Sequence, residues 1–165
     1  MIRVDHAGEY GAVRIYEGQL AVFDALNRTS EAAEAVRGMA RAEQRHLKAF
    51  DRLVNERKVR PTALEPVWRV AGFALGAATA LLGEKAAMAC TAAVEEVIDE
   101  HYASQLQRLE NDEELKRTVA NFREEEIAHR DEALIHGAEE APGYRLLSEA
   151  IKSGCRLAIR LSEHI

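Results

Sequence analysis

The sequence predicts an all-α protein built as an antiparallel four-helix bundle with two additional helices, about six helices in total. Hydrophobic residues make up 47% of the chain but aromatic residues only 5%, and just three prolines interrupt it. Apolar residues recur at steps of three and four, which places them on single stripes of α-helices. A length of 165 residues suits one domain with a substantial core. We therefore expect a single domain over residues 1–165.

The first two helices are predicted at residues 5–26 and 31–57. Asp5 is expected as the N-cap or a first-turn acid, and His6 as an exposed first-turn residue. Ser30 is expected to cap the second helix. The buried stripe of the first helix consists of Glu9, Val13, Tyr16, Leu20 and Phe23. That of the second consists of Val36, Met39, Glu43, His46, Phe50 and Leu53.

The third helix, predicted at residues 65–82 with Pro66 in its first turn, differs in character from the others. Residues 70–83 carry no charge, yet the run is shorter than the roughly 20 residues that span a bilayer. Gly72 and Gly76 allow another helix to approach closely. Two interpretations stay open: a buried core helix, or a helix that lies at a membrane surface or walls an apolar pocket.

The last three helices are predicted at residues 84–110, from Asp112 as N-cap to a point before Pro142, and at residues 142–163. The stripe of the fourth consists of Met88, Thr91, Glu95, Ile98, Tyr102, Leu106 and Leu109. That of the fifth consists of Leu115, Val119, Phe122, Glu126, His129, Ala133 and His136. The sixth has a narrower stripe of Tyr144, Leu147, Ile151, Cys155, Ala158, Ile159 and Ser162.

Ionisable residues stand in the middle of four of these apolar stripes. The second and fifth helices each carry a Glu-x-x-His pair, and the first and fourth each carry one glutamate. Glu9 precedes Glu43 by 34 residues, and Glu95 precedes Glu126 by 31 residues, so one helix-pair unit is used twice. The six residues are Glu9, Glu43, His46, Glu95, Glu126 and His129.

This pattern predicts a site for two metal ions in the bundle core. A carboxylate buried without a partner is costly, and a cation compensates it. Four glutamates balance the charge of two ferrous ions, two of them bridging and two terminal, with one imidazole for each metal. Such oxygen and imidazole donors suit iron or manganese, and the set matches ferritin-like di-iron carboxylate proteins. The alternative, exposed glutamates and ordinary core histidines, is disfavoured by six residues in matching register.

Further residues near these positions are candidates for supporting roles. A ligand histidine needs an acceptor on its second ring nitrogen, and Glu125 is the leading candidate, followed by Asp99 and Asp5. Tyr16 and Tyr102 each lie two turns from a glutamate on the same stripe. They are either ordinary core tyrosines or part of the wall of an oxygen or substrate cavity.

Composition excludes several classes of function. A net charge of −6 gives no electrostatic support for nucleic-acid binding. Cys90 and Cys155 form no Cys-x-x-Cys motif, which fits a reducing compartment and buried, inert thiols. No signal peptide is expected at the start of this sequence. No Gly-x-Gly-x-x-Gly fingerprint is present, so we expect no dinucleotide fold within the chain.

The motifs of the chain resemble those of the demethoxyubiquinone hydroxylases, the di-iron monooxygenases of ubiquinone biosynthesis. All six ligand positions of that family are filled here, and its histidine and tyrosine after the third ligand match His101 and Tyr102. The resemblance covers nearly the whole chain. It is carried by residues 3–12, 60–62, 72–76, 79–83, 87–91, 94–96 and 154–156.

The resemblance implies hydroxylation of the ring of a polyprenyl demethoxyquinol, with two iron ions, O₂ and electrons ultimately from NADH. The electrons come through the quinone or from a partner. The uncharged third helix would admit the lipid-tailed substrate. The resemblance also implies a peripheral membrane protein on the cytoplasmic face of a bacterial inner membrane, or the matrix face of the mitochondrial inner membrane. A lipid-binding accessory protein is the expected partner, and a homo-oligomer is left open.

Two other activities share parts of this pattern. A ferritin-like ferroxidase or iron-storage protein has nearly the same metal motif. Such a protein is expected to have a polar outer face, and the uncharged run at residues 70–83 argues against it. A peroxide-reducing di-iron protein usually carries a cysteine-rich electron-transfer site. The two cysteines of this chain cannot form one.

Overall fold

The computed structural model describes all 165 residues and contains six α-helices and no strand. This confirms the predicted all-α bundle with six helices. A short 3₁₀ helix, Ala138–Glu140, stands between the last two α-helices. The α-helices are α1 (Ile2–Ala25), α2 (Glu31–Glu56), α3 (Glu65–Leu81), α4 (Glu84–Leu106), α5 (Glu113–Ile135) and α6 (Tyr144–His164).

The bundle is formed by α1, α2, α4 and α5, in which α1 packs against α2 and α4 against α5. Two apolar clusters fill its interior. One cluster contains Phe23, Val36 and Met88, and the other contains Phe50 and Leu115. A polar layer separates the two clusters, because Glu43 and His46 lie between Met39 of the first cluster and Phe50 of the second along α2. The additional helices cover the outside, with α3 against α1 and α6 against α4.

Local capping explains where several helices begin. The Ser30 hydroxyl accepts a hydrogen bond from the Ala33 amide at 3.2 Å, and the Asp112 carboxylate accepts one from the Leu115 amide at 3.1 Å. Both predicted N-caps are therefore confirmed. The first helix begins three residues before the predicted position, at Ile2, so Asp5 is a first-turn acid and not the N-cap.

The prediction of an exposed His6 is wrong. This residue is only 5% exposed, and its Nε2 lies 2.9 Å from Asp51 Oδ1 on α2. The physical reason is the earlier start of α1, which carries position 6 into the part of the helix that packs against α2.

The third helix is neither fully buried nor long enough to span a bilayer. Its inner face is held against α1 by glycines: a Cβ atom at Gly76 would collide with the Ile15 carbonyl oxygen, and one at Gly18 with that of Phe73. Its outer face is apolar and exposed, so the interpretation as a buried core helix fails for that face. No helix in the structure combines the length and the hydropathy that crossing a membrane requires. The exposed apolar side chains are Val67, Val70, Phe73, Leu81 and Leu82.

Candidate metal centre

The structure brings all six predicted ligand residues together in the polar layer of the bundle. Each glutamate is at most 1% exposed, and His46 is fully buried. The helical register explains the meeting, because each residue stands on the stripe that its helix turns towards the bundle axis. The residues are Glu9 on α1, Glu43 and His46 on α2, Glu95 on α4, and Glu126 and His129 on α5.

The six side chains form two overlapping groups of four, and two glutamates belong to both groups. Within each group, one ligand atom per residue lies within 4.8 Å of all the others. Each group holds three carboxylates and one imidazole, and the shared members are Glu43 and Glu126. The first group is Glu9, Glu43, His46 and Glu126, and the second is Glu43, Glu95, Glu126 and His129. The repeat seen in the sequence thus reappears as two equivalent halves of one cluster.

Both histidines turn Nδ1 towards the buried glutamates of the cluster. His46 Nδ1 lies 3.0 Å from Glu126 Oε1, and its Nε2 lies 3.1 Å from Glu125 Oε2. His129 Nδ1 lies 3.1 Å from Glu43 Oε1 and 3.2 Å from Glu126 Oε2. A proton donated from His46 Nε2 to Glu125 would leave Nδ1 available to bind a cation once Nδ1 has lost its own proton.

Burial and mutual repulsion leave the carboxylates of the cluster poorly compensated. Burial and the neighbouring Glu126 carboxylate raise the pKa of Glu43 and Glu95 well above their ordinary values. Burial also raises the pKa of Glu126. Burial alone would lower the pKa of His46, but the neighbouring Glu126 and Glu9 carboxylates raise it to about 12. Without a cation, the cluster therefore keeps protons that it would release on binding a metal.

Several buried oxygens of the cluster have no hydrogen-bond partner. These are both carboxylate oxygens of Glu43, Oε2 of Glu9 and Oε2 of Glu95. Glu43 Oε1 lies close to His129 Nδ1, but not in a direction that makes a hydrogen bond. A buried polar atom without a partner carries a free-energy cost. The residues therefore fit a pair of divalent cations bound by oxygen and imidazole donors.

The two buried tyrosines bond to glutamates of the cluster. Tyr16 on α1 donates from its hydroxyl to Glu95 Oε1 on α4 at 2.6 Å. Tyr102 on α4 donates in the same way to Glu9 Oε1 on α1. Sequence analysis placed both residues in the core or a cavity wall but missed these bonds, because each one crosses between helices. The available signal was the equal spacing of each tyrosine, seven residues after a cluster glutamate.

Of the three predicted acceptors, only Glu125 reaches a histidine of the cluster, and it also accepts from Arg45 at 3.0 Å. Asp99 pairs with Arg123 on α5 at 2.6 Å. The carboxylate of Asp5 instead bonds to His101 at 3.0 Å and to Gln105. Sequence analysis overlooked Gln105, a fully buried residue at the end of this polar chain.

An apolar groove of about 460 Å³ lies between α1, α3, α4 and α6, with 16 hydrophobic residues among the 21 that line it. It adjoins a small pocket of about 20 Å³, because four residues line both. The remaining walls of the small pocket include Asp5, Glu9, His101 and Tyr102. Through these shared residues, the groove lies next to Glu9, a member of the carboxylate–histidine cluster. The shared residues are Val4, Gly8, Ile98 and Ile159.

Neither cysteine belongs to the metal cluster. Cys90 is fully buried as predicted, but Cys155 is partly exposed and lines the groove. Burial raises the pKa of Cys90 to about 12 and that of Cys155 to about 11. Both thiols therefore stay protonated and unreactive near neutral pH.

Comparison with known proteins gives matches over almost the whole chain. The model of the family ubiquinone biosynthesis protein COQ7 matches residues 1–162. A 3-demethoxyubiquinol 3-hydroxylase from Rhodospirillum rubrum is 57% identical over 165 residues, which cover 99% of this chain and 76% of that protein. The mitochondrial NADPH-dependent 3-demethoxyubiquinone 3-hydroxylase of Mus musculus is 54% identical over 168 residues, with the same coverage. The mitochondrial 5-demethoxyubiquinone hydroxylase of Saccharomyces cerevisiae is 39% identical over 181 residues, covering 100% and 77%.

Proposed function

The chain belongs to the family of ubiquinone biosynthesis protein COQ7, and we propose that it is an O₂-dependent hydroxylase of demethoxyubiquinol-type polyprenyl quinones. The observation that carries this proposal is the apolar groove, which adjoins a small pocket lined by Glu9, a member of the carboxylate–histidine cluster. An apolar substrate in the groove would lie next to the buried polar cluster. The names of the relatives support the same activity.

The six residues of the cluster would hold two iron ions. Glu43 and Glu126, which belong to both groups, would help to hold both ions, while Glu9 and Glu95 would each help to hold one. Bound ferrous iron would supply electrons and open coordination positions for O₂. The role of the protein is to fix the ligands: Glu125, for example, orients the ring of His46 through its Nε2.

The groove would place the quinol ring beside the cluster and keep water away from it. Its walls include Leu75 on α3 and Ile151 on α6, so an isoprenoid tail would lie in apolar surroundings. Asp5 and His101 stand in the wall of its inner end, next to Glu9. Together with Tyr102, they are the polar side chains of this pocket that are not themselves proposed ligands.

The reaction balances with two external electrons. One oxygen atom of O₂ replaces the hydrogen of a ring C–H bond as a hydroxyl group, and the other leaves as water. A hydride from a reduced nicotinamide dinucleotide and one proton supply the two electrons and two protons for that water. The family resemblance implies NADH, whereas the mouse relative is named for NADPH, so both donors should be compared.

A peripheral position on a membrane would bring the groove to its substrate. Besides the exposed apolar residues of α3, α6 also exposes Leu146, Leu157 and Leu161, and both helices line the groove. We propose that this surface faces lipid or a lipid-binding accessory protein. Eukaryotic relatives are named mitochondrial. Our proposal places the protein on the matrix face of the mitochondrial inner membrane, or on the cytoplasmic face of a bacterial inner membrane.

Tail length and two matched substitutions test the proposal. Phe73 is 42% exposed on the outer face of α3, whereas Leu75 lines the groove. Phe73→Glu should weaken vesicle binding, and with it turnover of a long-tailed demethoxyquinol presented in vesicles. Leu75→Glu should lower turnover of the long-tailed substrate even in detergent, with much less effect on a short-tailed quinol. Both variants should keep their iron.

Two outcomes would count against the proposal. If the iron-loaded protein forms no hydroxylated quinol, the activity is wrong. If Leu75→Glu reduces turnover of short and long tails equally, the groove is not the route of the tail. The ferroxidase alternative would instead show oxidation of many ferrous ions per chain within a large shell, and neither the groove nor the relatives favour it.

A further inference from the structure

The bonds between the tyrosines and the glutamates form a reciprocal pair across the bundle. Tyr16 stands seven residues after Glu9 on α1 but bonds to Glu95 on α4. Tyr102 stands seven residues after Glu95 on α4 but bonds to Glu9 on α1. Both tyrosines are at most 2% exposed, so water does not compete for either bond. Each half of the metal cluster is therefore tied to a tyrosine from the opposite helix.

Among the cluster glutamates, the tyrosines bond only to the two that the halves of the cluster do not share, and Tyr16 also lies 3.6 Å from Met39 Sδ. In Glu9 and in Glu95, Oε1 accepts the tyrosine hydroxyl, and Oε2 is buried without a partner. The shared glutamates, Glu43 and Glu126, have no tyrosine partner. Glu9 Oε2 lies 3.5 Å from His46 Nδ1, so the free oxygen faces the ligand nitrogen of its own half.

We propose that Tyr16 and Tyr102 are positioning residues. Each one occupies one oxygen of an unshared carboxylate, Glu95 or Glu9, so that only the other oxygen of that carboxylate binds the metal. This inference rests on the proposed metal-binding function. An oxygen that accepts a short hydrogen bond from a buried hydroxyl is a poor second donor for chelation, and the same bond fixes the carboxylate rotamer. One-oxygen binding leaves a coordination position on each ion open for O₂.

Crossed substitutions test the assignment. Glu95→Ala should leave one metal position, built by Glu9, Glu43, His46 and Glu126. In this background, Tyr102→Phe should weaken binding of the remaining ion about 10- to 100-fold, as loss of a supporting bond to a ligand typically does. Tyr16→Phe should leave it unchanged, because its partner has been removed. The measurement is anaerobic titration with Fe²⁺ or Co²⁺, followed by metal analysis.

The pattern should reverse in the Glu9→Ala background, where Tyr16→Phe weakens binding and Tyr102→Phe does not. Tyr10→Phe is the matched control, since Tyr10 lies on α1 next to Arg14 and makes no hydrogen bond to the cluster. Equal effects of both tyrosine variants in both backgrounds, or no effect in either, would overturn the inference.

A second measurement decides the matter if a single-glutamate variant binds no metal. In the chain with all six ligands, the visible bands of bound Co²⁺ report its coordination number. Removal of either hydroxyl should free Oε1 for chelation, raise the coordination number and weaken these bands, whereas Tyr10→Phe should not. Unchanged spectra would reject the inference. Failure of the unsubstituted protein to bind two ions would instead reject the proposed metal site.

Discussion

Removing a carboxylate that both halves of the cluster share should empty both metal positions, whereas removing an unshared one should empty only one. Glu126 has ligand atoms within reach of both groups, but Glu95 belongs to only one of them. Glu126→Ala is therefore expected to retain no tightly bound metal. Glu95→Ala is expected to retain one ion per chain, held by Glu9, Glu43, His46 and Glu126.

The size of the effect follows from the charge balance of a fully buried site. Four carboxylates carry −4 and two ferrous ions carry +4, so the loss of one carboxylate leaves one uncompensated positive charge. Breaking a buried ion pair on one side costs about 3–5 kcal/mol. Since about 1.4 kcal/mol corresponds to a factor of ten in a binding constant, metal affinity should fall roughly 10²- to 10⁴-fold.

Equilibrium dialysis against Fe²⁺ without oxygen, followed by metal analysis, measures the retained ions. Circular dichroism should show the same helix content in each variant. Glu124→Ala is the matched control, because Glu124 is exposed beside the cluster and should keep both ions. The reasoning is refuted if Glu126→Ala retains both ions, or if Glu95→Ala loses them as completely as Glu126→Ala.

Three further results are expected. Glu125→Ala should weaken metal binding about 10- to 100-fold in titration, because it removes the acceptor on His46 Nε2; unchanged affinity would contradict this role. Gly76→Ala should lower the free energy of unfolding by about 1–3 kcal/mol, because the added Cβ atom would overpack against Ile15. Gly38→Ala should cause no such loss, because a Cβ atom at Gly38 would meet no neighbouring atom. In the metal-free protein, raised pKa values of cluster glutamates and histidines mean that the folded chain holds extra protons. Its stability in denaturant should therefore fall as pH rises above about 5, by about 1.4 kcal/mol per pH unit for each extra proton; a rise would contradict the shifts.

The predicted ligand set came from a local property, the period of the α-helix. Because the stripe of a helix is fixed by its own residues, sequence analysis could place Glu43 with His46 and Glu126 with His129 before any packing was known. Because this property concerns one helix at a time, the contacts between different helices could not be predicted from it. The bond from Tyr16 to Glu95 joins residues 79 positions apart, and a period within one helix carries no information about the rotation of another.

Helix packing also determines which face of α3 is buried and that His6 is buried. Sequence analysis could identify an uncharged helix with two close-contact glycines, but not which partner the glycines meet. The structure shows that the partner is α1, where Gly72 meets Gly11 and Gly76 meets Ile15. An apolar pocket walled by α3 was one of the open interpretations, but the other walls of the groove could not be predicted, because they come from three further helices. His6 was misplaced by a helix start that lies three residues earlier than capping signals suggested.

The most direct test is a single turnover under ¹⁸O₂. Protein loaded with two ferrous ions per chain, mixed with a demethoxyubiquinol without any nicotinamide, should form up to one hydroxylated quinol per two irons. Mass spectrometry should find one ¹⁸O atom in the new hydroxyl group. A product that carries oxygen from water, or equal product from metal-free protein, would contradict the account.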